Sequence, residues 1–438
     1  MGRSTAGRRR GRAGLVAALS AIAALALGCG DAGAVIVHLP GKTLGYQPLS
    51  GAAPTPIKPL LDGKPPSSGN SKSGKPLLYN GGPVMTSNTN YALYWDPSGA
   101  PAYPAGYEQG IDRYFEDLAH DSGGNQNTDS VLVQYYDEAG EHANYDSHFG
   151  GALIDTDPYP ANGCSAAPIC LTDQQLRTEI KKYVEANGLP AGLAHEYFLL
   201  TPPGVESCFE AAGHSCSAGA SHAAYCAYHG YISASVGVLI YANDPYVDGI
   251  ECDVGEEHPN GNPSDATIGG GLSHEHSESV TDPELNAWYD AKEEEIGDKC
   301  RTFNEATEYG EALGIAPDGA KYNQAIDGDL YYYQQEWSNE AGGCEQRSAL
   351  LPIVKKAAPK KGPASGGTPV TITGANFIGP VTVEFGETPA TEVTVESSAS
   401  LTAVSPAGAP GSKVSITVKT ASGTSAVVKK VSFKYLKK

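Results

Sequence analysis

The chain has 438 residues and a formal net charge of −20 at pH 7, from 30 Lys and Arg against 50 Asp and Glu. Residues 1–34 carry five Arg and one Asp, and residues 351–438 carry eleven Lys and four Glu, so the remaining body holds fourteen basic and forty-five acidic residues, a net of −31. Such an acidic body argues against nucleic acid and anionic lipid headgroups as partners, and it favours solubility and cation binding.

The N-terminus has the pattern of a signal peptide. Five arginines precede an uncharged, mostly apolar run over 13–27, which is too short to span a bilayer. Ala32-Gly33-Ala34 is a small-x-small cleavage site, so residues 1–34 are predicted to be removed on secretion. The alternative is a lipid anchor at Cys29, whose preceding residues form a weak lipobox and would hold the protein at the cell surface. We favour free secretion, and no later segment is long and apolar enough to be a transmembrane helix.

Eight further cysteines agree with an oxidising compartment. Their even number predicts up to four disulfides and no zinc ribbon, because no CxxC pair occurs. The short separations favour Cys164–Cys170 and Cys208–Cys216 as local pairs, with Cys300–Cys344 as a longer one. The other two cysteines are Cys226 and Cys252.

Residues 35–78 are predicted to be a flexible linker, since the stretch from Gly41 to Pro76 is rich in Gly, Pro, Ser and Lys and poor in apolar residues. Residues 79–350 follow as an α/β or α+β body with a single large core. In the body, helices are predicted over 107–118 and 172–187, and strands over 84–85, 91–95, 131–133, 197–200 and 236–241. The second helix has the clearest bounds, with a capping box from Thr172 to Gln175 and Gly188 after its end.

The pattern changes near the C-terminus. A Lys- and Pro-rich stretch over 351–363 is predicted to be a second linker, and residues 364–438 show β-branched alternation with Gly turns, as in a small β-sandwich. Ser365-Gly366-Gly367-Thr368, Thr373-Gly374-Ala375-Asn376-Phe377, Phe385-Gly386, Ser405-Pro406-Ala407-Gly408 and Phe433-Lys434-Tyr435 resemble the IPT/TIG family throughout the module. The resemblance implies an immunoglobulin-like fold that acts as a spacer or interaction module.

The candidate chemistry lies in His274-Glu275-His276-Ser277-Glu278. On a helix over 266–280, His274 and Glu278 lie one turn apart on the same face, the spacing with which H-E-x-x-H grips a metal, although Glu replaces the second His. Glu275 then has the position of the general base. The sequence therefore predicts a zincin-like metal helix for a divalent ion, with zinc favoured.

A third ligand must come from elsewhere. The candidates are Asp282, which precedes Pro283 and so falls at the turn after the helix, and the pair Glu295 and Asp298; His229 could also reach the site. The alternative interpretation is a Glu-rich surface helix that contains a histidine by chance and binds no metal. A separate acidic loop, with Asp248, Asp253, Glu256 and Glu257, is a candidate for calcium but lacks EF-hand spacing, so a solvated loop is favoured there.

The same segment carries a second resemblance. Its elements are Tyr79-Asn80-Gly81-Gly82-Pro83-Val84-Met85, Pro259-Asn260-Gly261 with Asp265, His274-Glu275-x-x-Glu278, Thr281-Asp282-Pro283, Asn286-Ala287-Trp288-Tyr289 and Glu295-Ile296-Gly297-Asp298-Lys299-Cys300. In order and approximate spacing they resemble the phosphate-induced protein 1 (Exordium-like) family over most of residues 79–345. His276 and Ser277 depart from the family's helix pattern, which argues against His276 as an essential ligand. The resemblance implies an extracellular or wall-associated protein without assigning a reaction.

Together these observations predict a secreted metal-dependent hydrolase, peptidase-like, with His274 and Glu278 as ligands and Glu275 as base. The alternative is a non-catalytic extracellular interaction protein in which the His/Glu cluster is structural. In either case the expected partner is an extracellular protein or a cell-wall component.

Overall fold

The computed structural model describes Gly2 and residues 35–49, 75–253, 257–301, 308–348, 351–377, 380–397, 399–420 and 423–437. The predicted signal peptide, Cys29 and Glu256 lie outside these residues. Within them, no helix is both long enough and apolar enough to cross a membrane.

The body combines one large sheet with short helices. Its helices are α1 Tyr107–His120, α2 Asp129–Leu132, α3 Asp173–Asn187, α4 Ser264–Thr267 and α5 Ser273–Thr281, with a π turn at Ile268–Leu272 and a 3-10 turn at Asp298–Cys300. Its strands are β1 Val35–Leu39, β2 Lys42–Pro48, β3 Leu78–Tyr79, β4 Asn88–Trp95, β5 Ser147–Asp155, β6 Ile169–Thr172, β7 His195–Thr201, β8 Val205–Cys208, β9 Cys216–Ser217, β10 Ala223–Ala234, β11 Gly237–Pro245, β12 Trp288–Tyr289, β13 Gly314–Ile315, β14 Lys321–Tyr322, β15 Gln324–Ile326, β16 Asp329–Tyr331, β17 Glu336–Ser338 and β18 Gly343–Glu345.

The large sheet runs in the order β5-β4-β7-β11-β10-β9-β8-β6, with β2 also paired to β10 and β1 to β2. Strands β5, β4, β7 and β11 are parallel, and β10 is antiparallel to β11. Because successive strand residues face opposite sides, Leu93 of β4 joins a core with Leu176 of α3, while Ala92 joins a core with Ile111 of α1. The sheet is thus covered by helices on both faces.

One continuous helical run, α4, the π turn and α5, follows β11 and carries the candidate metal residues; we call Ser264–Thr281 the site helix. The π turn contains three glycines, and two of them are needed for close packing. A Cβ on Gly270 would lie 2.2 Å from the Cys252 carbonyl oxygen, and one on Gly271 would lie 2.7 Å from the Ala227 Cβ. A π turn inside a helix often marks a functional site, and here it comes just before His274.

The C-terminal module is a β-sandwich with its own core. Its strands are β19 Ile353–Ala358, β20 Lys361–Gly362, β21 Pro369–Ala375, β22 Thr382–Phe385, β23 Thr388–Pro389, β24 Thr391–Ser397, β25 Ser400–Val404, β26 Lys413–Thr420, β27 Gly423–Thr424 and β28 Ser432–Tyr435. One sheet has the order β19-β21-β25-β24, and the other β20-β28-β26-β22-β23 with β27 on β26. Buried Ile372, Phe385, Leu401 and Phe433 pack between the two sheets.

Four sequence predictions are corrected by the structure. The strand predicted over 84–85 is not formed, since β4 begins only at Asn88. The linker predicted over 35–78 contains the hairpin β1–β2, and the linker predicted over 351–363 contains β19, which pairs with β21. The strand predicted over 131–133 falls instead on helix α2 and its end, where Val131 and Leu132 are buried. All three disulfides predicted from spacing are present, and Cys226–Cys252 is the fourth.

Candidate metal centre

The site helix places His274 and Glu278 one turn apart, as the sequence predicts, and both side chains are fully buried. His274 Nε2 lies 3.1 Å from Glu278 Oε1. The 3-10 turn supplies Asp298, whose Oδ1 lies 3.4 Å from the same nitrogen, while its backbone N–H donates to Glu278 Oε1 at 3.2 Å. Of the three acids proposed as a third ligand, Asp298 is therefore the one that joins His274 and Glu278.

The contacts of His274 Nε2 with Glu278 and Asp298 do not have the geometry of hydrogen bonds. His274 Nε2 and Asp298 Oδ1 are buried and have no hydrogen-bond partner among the described residues. Bonds of about 2.0–2.2 Å to a tetrahedral zinc ion would place two ligand atoms about 3.3–3.6 Å apart. The 3.4 Å spacing to Asp298 falls in this range and the 3.1 Å spacing to Glu278 is slightly shorter, so the three side chains are close enough together to share one ion.

The other side of the His274 ring is held in place by protein. Nδ1 lies 3.1 Å from Gln334 Oε1, and Gln334 Nε2 donates to the Gly297 carbonyl oxygen at 3.0 Å. With Nδ1 as the donor, Nε2 is left with a lone pair directed at Glu278 and Asp298, the tautomer that a metal ligand needs. Gly297 permits this approach, since a Cβ there would lie 2.6 Å from His274 Nδ1.

A second group of ionisable side chains, centred on His229, also includes Glu278. His229 on β10 lies with Nδ1 3.1 Å from Glu275 Oε2 and 3.7 Å from Glu278 Oε2, and its Nε2 lies 3.7 Å from Glu295 Oε1. Glu275, the proposed base, and Glu295, a proposed ligand, therefore surround His229 rather than His274. Both carboxylates keep at least one buried oxygen without a hydrogen-bond partner in the described structure.

Asp282 is held differently. It follows the last residue of the site helix, as the sequence predicts, and its Oδ1 accepts the backbone N–H groups of Asn286 and Ala287, each at 2.6 Å. Burial raises its pKa to about 7 despite those hydrogen bonds. These contacts identify Asp282 as a residue that shapes the turn beneath the cluster, while its ligand role stays a prediction.

The cluster has an excess of negative charge. Glu275, Glu278, Asp282, Glu295 and Asp298 are at most 2% exposed, and the imidazoles of the cluster are His229 and His274. Five ionised acids and two protonated imidazoles would have a formal charge of −3.

Burial and the neighbouring charges push the pKa values within the cluster apart. Burial opposes a charge on His274, but Glu278, Asp298 and Glu275 together outweigh it and raise the His274 pKa well above its usual range. Burial would raise the pKa of Glu278, but His274, His229 and Asp298 together outweigh it, and the net pKa is lowered. Burial and the charge of Glu278 raise the pKa values of Glu295 and Asp298. Either bound protons or a bound cation must offset this charge.

Sequence reasoning missed a second buried network on the helix. His276 Nδ1 lies 3.2 Å from Glu196 Oε2 on β7, and Nε2 lies 3.4 Å from Asp129 Oδ2 on α2. Burial lowers the His276 pKa, but the two carboxylates outweigh it and raise the pKa to about 10. His276 thus contacts two buried carboxylates on other elements, and the argument against it as an essential ligand stays a prediction. No local spacing links these residues, because Glu196 and Asp129 come from distant parts of the chain.

The calcium candidate forms a partly exposed cluster. His258 Nε2 lies 2.9 Å from Asp253 Oδ1 and 3.9 Å from Asp248 Oδ1. The remaining oxygens are occupied, since Asp253 Oδ2 accepts from the Gly249 N–H and Asp248 Oδ2 accepts from the Tyr246 hydroxyl. The contacts here are those of a hydrogen-bonded loop, and calcium binding stays a prediction.

The model of one protein family, the IPT/TIG domain, matches residues 352–435. The C-terminal sandwich is an IPT/TIG domain. The match begins one residue before β19, so the IPT/TIG domain includes the segment predicted as a linker. No curated protein matches this chain.

Several solved structures are similar to part of the chain. The plexin A4 extracellular region (domains 1 to 8) aligns at 20% identity over 26% of this chain and 11% of its own, with a TM-score of 0.19. An auxiliary nutrient binding protein from Bacteroides thetaiotaomicron aligns at 21% identity over 20% of this chain and 21% of its own, with a TM-score of 0.16. SGBP-B from a complex xyloglucan utilization locus in Bacteroides uniformis aligns at 25% identity over 24% of this chain and 26% of its own, with a TM-score of 0.17. This chain therefore spans about a quarter or less of each of these relatives.

Proposed function

We propose that the body is a secreted, metal-dependent hydrolase of the peptidase-like kind, with a zincin-like site helix. The observation that carries the proposal is that His274 Nε2 and Asp298 Oδ1 are buried without a hydrogen-bond partner in the described structure, with Glu278 Oε1 at 3.1 Å and Asp298 Oδ1 at 3.4 Å from that nitrogen, close to the spacing of ligands on one ion. A zinc ion or similar divalent cation would supply Lewis-acid polarisation of a scissile carbonyl group.

The protein residues have distinct roles in this proposal. His274, Glu278 and Asp298 hold the cation, and Gln334 fixes the imidazole tautomer. Glu275 is the base that accepts a proton from the attacking water; its Oε1 is unpaired and its Oε2 accepts a hydrogen bond from His229. Burial raises the pKa of Glu275, which brings a carboxylate closer to the range in which it can both take and return a proton.

Secretion and the wider family belong to the same proposal. Four disulfides support an oxidising compartment. We place residues 79–345 with the Exordium-like proteins, whose matching residues His274, Glu275, Glu278 and Asp298 meet in one cluster. The IPT/TIG domain would then act as a spacer or as the part that contacts an extracellular protein or cell-wall partner.

One observation favours a second candidate function. The side chains of His229, His274, Glu275 and Glu278 are 0% exposed, whereas a catalytic metal site keeps a position open to substrate. A closed site is what a structural metal has. The second candidate is therefore a non-catalytic extracellular interaction protein whose metal holds the site helix to the loop that carries Asp298.

The test uses the full chain expressed by secretion. Metal content is measured by mass spectrometry, and casein hydrolysis is measured in the intact chain and after a cut between residues 50 and 74, because β2 precedes that cut and lies against the cluster. We expect His274→Ala to lose metal and hydrolysis together. Glu275→Gln should keep the metal and lose hydrolysis by about 100-fold or more, because only the base is removed.

Glu206→Gln is the matched control, because Glu206 is also buried but is bonded to Ser217 outside the cluster. Wild-type protein without stoichiometric metal, or Glu275→Gln with full activity, would contradict the hydrolase proposal. Bound metal without hydrolysis in either form of the chain would support the interaction protein instead.

A further inference from the structure

The outer edge of β10, next to the candidate metal centre, is occupied by a strand from the N-terminus. Strand β2 runs antiparallel to β10, with a register from Pro48 opposite Tyr225 to Leu44 opposite Gly230. This register sets Gly45 directly opposite His229. The strand therefore passes over the cluster at the residue that contacts Glu275.

Gly45 lies so close to the cluster that no side chain fits there. A Cβ at this position would be 2.3 Å from Glu295 Oε2 and 2.5 Å from His229 Cε1. The backbone of β2 thus forms one wall of the enclosure around the cluster. This wall is part of the reason that His229 and Glu295 are 0% exposed.

The neighbours of Gly45 point to the opposite face of the sheet and fill apolar positions. Leu44 is fully buried, and Tyr46 is 8% exposed, with its ring 5.4 Å from that of Phe209 in an edge-on arrangement. The edge of β10 thus binds an extended segment through a ladder of backbone hydrogen bonds. Three successive residues of that segment are a large aliphatic residue, a residue without a side chain that lies over the cluster, and an aromatic residue. This is strand addition, in which main-chain hydrogen bonds give affinity and alternate side chains give specificity.

The occupying strand belongs to a hairpin that is set apart along the chain. Strands β1 and β2 are joined by the two-residue turn Pro40-Gly41, with Gly41 at a φ of +78°, and the next strand, β3, begins only at Leu78. The hairpin is held by the β10 ladder, the backbone bond from Ile36 N–H to the Glu293 carbonyl oxygen at 3.1 Å, the ion pair of Lys42 with Asp173, and the core packing of Leu44 and Tyr46. A second segment with the sequence of residues 42–48 could replace all of these except the Ile36 bond.

We infer that β2 is an internal occupant of a groove for extended peptides. The groove binds a peptide antiparallel to β10, with a small residue opposite His229 and an aromatic residue one position on, and the hairpin blocks the candidate metal centre until the chain is cut between residues 50 and 74. That cut is a hydrolysis by a separate endopeptidase, in which one water molecule adds across one peptide bond to leave a carboxylate and an amine. The inference rests on the proposed function and names its substrate class.

The experiment uses the full chain with a specific protease recognition sequence replacing residues 66–71. Intact and cut protein are each incubated with a hundredfold excess of a fluorescent peptide that has the sequence of residues 42–48. Binding is followed by fluorescence anisotropy and loss of the hairpin by mass spectrometry. The control peptide carries Gly45→Trp, which keeps the ladder donors but clashes with His229 and Glu295.

In the cut chain we expect the peptide to displace the hairpin, with binding at least 10-fold stronger than that of the Gly45→Trp peptide, and no binding to the intact chain. Circular dichroism should show an unchanged fold. A hairpin that is never displaced, a fold that collapses when it leaves, or equal binding of the two peptides would overturn the inference, because β2 would then be a permanent strand.

Metal content and casein hydrolysis measured on the same samples separate this inference from the proposed function. Peptide exchange without bound metal or hydrolysis would remove the hydrolase proposal and leave the peptide groove. Metal and hydrolysis in the intact chain, unaffected by the peptide, would keep the hydrolase proposal and remove the groove.

Discussion

Gln334 offers a direct test of whether the His274 group binds a metal. Its side chain is 1% exposed and bridges His274 Nδ1, at 3.1 Å, to the Gly297 carbonyl oxygen, at 3.0 Å. Gln334→Leu keeps the volume and removes both hydrogen bonds. The imidazole would then lose the acceptor that selects its tautomer and orientation, although all three ligand side chains remain.

Loss of such an outer contact typically weakens metal affinity by about 10- to 100-fold, or about 1.4 to 2.7 kcal/mol of binding free energy. Gln334 makes the contact that sets the direction of Nε2, so we expect a change in this range. The assay is competition for zinc with a fluorescent chelator at constant pH, using the intact, disulfide-bonded chain.

Gln134→Leu is the matched control. Gln134 is also a buried amide, but its side chain donates to the Val131 carbonyl oxygen at 2.9 Å and the Ser338 hydroxyl at 3.2 Å. Both variants lose buried hydrogen bonds and should lose comparable stability, about 1 to 3 kcal/mol. Equal zinc affinity in both variants and the wild type would refute the assignment of His274 as an oriented ligand.

Three further predictions concern the framework. Thiol titration under denaturing, non-reducing conditions should find at most one reactive thiol, from Cys29, because the other eight cysteines are paired; a larger number would contradict the disulfide set. A fragment over 352–438 should unfold cooperatively in urea. A fragment over 364–438 should be less stable by about 2 kcal/mol or more, because it lacks β19 and the buried Val354. Equal stability of the two fragments would show that β19 is dispensable. Burial raises the pKa of Asp117 from 3.8 to about 6, so the carboxyl group binds its proton more tightly in the folded protein than in the unfolded chain. The stability that Asp117 contributes is therefore full below about pH 4 and is lost as the pH rises through 6. Asp117→Asn should therefore gain stability relative to the wild type between pH 4 and 7 in urea titrations, and a constant difference across that range would contradict the shift.

Sequence patterns correctly predicted the elements that are determined by residues close together in the chain. The helix from Asp173 to Asn187 has the predicted capping box and ends at Gly188, whose φ of +62° is the left-handed conformation that terminates helices. The i, i+4 relation of His274 and Glu278 follows from helix geometry alone. The contribution of Asp298 also had a sequence basis, because it follows the turn residue Gly297 within a short distance of the helix.

The missed elements have causes that sequence periodicity does not record. In β19 the ladder with β21 is irregular between Val354 and Lys356, so the buried residues Val354 and Ala357 are three apart and the alternation typical of a strand is lost. Strand β2 was hidden because Gly45, a weak strand former, is required by the approach of His229 and Glu295. The pairing of His229 with Glu275 depends on how β10 packs against the site helix, which only the tertiary structure establishes.

The disulfide Cys226–Cys252 has a consequence for how the protein must be handled. Cys226 lies three residues before His229 on β10, and the carbonyl oxygen of Cys252 lies against Gly270, four residues before His274. The disulfide thus joins β10, which carries His229, to the segment that packs against the site helix, which carries His274. Material made in a reducing cytosol, or purified with thiol reagents, would have the ligands without the frame that holds them in register, and a failure to find metal in such material would report on the preparation and not on the protein.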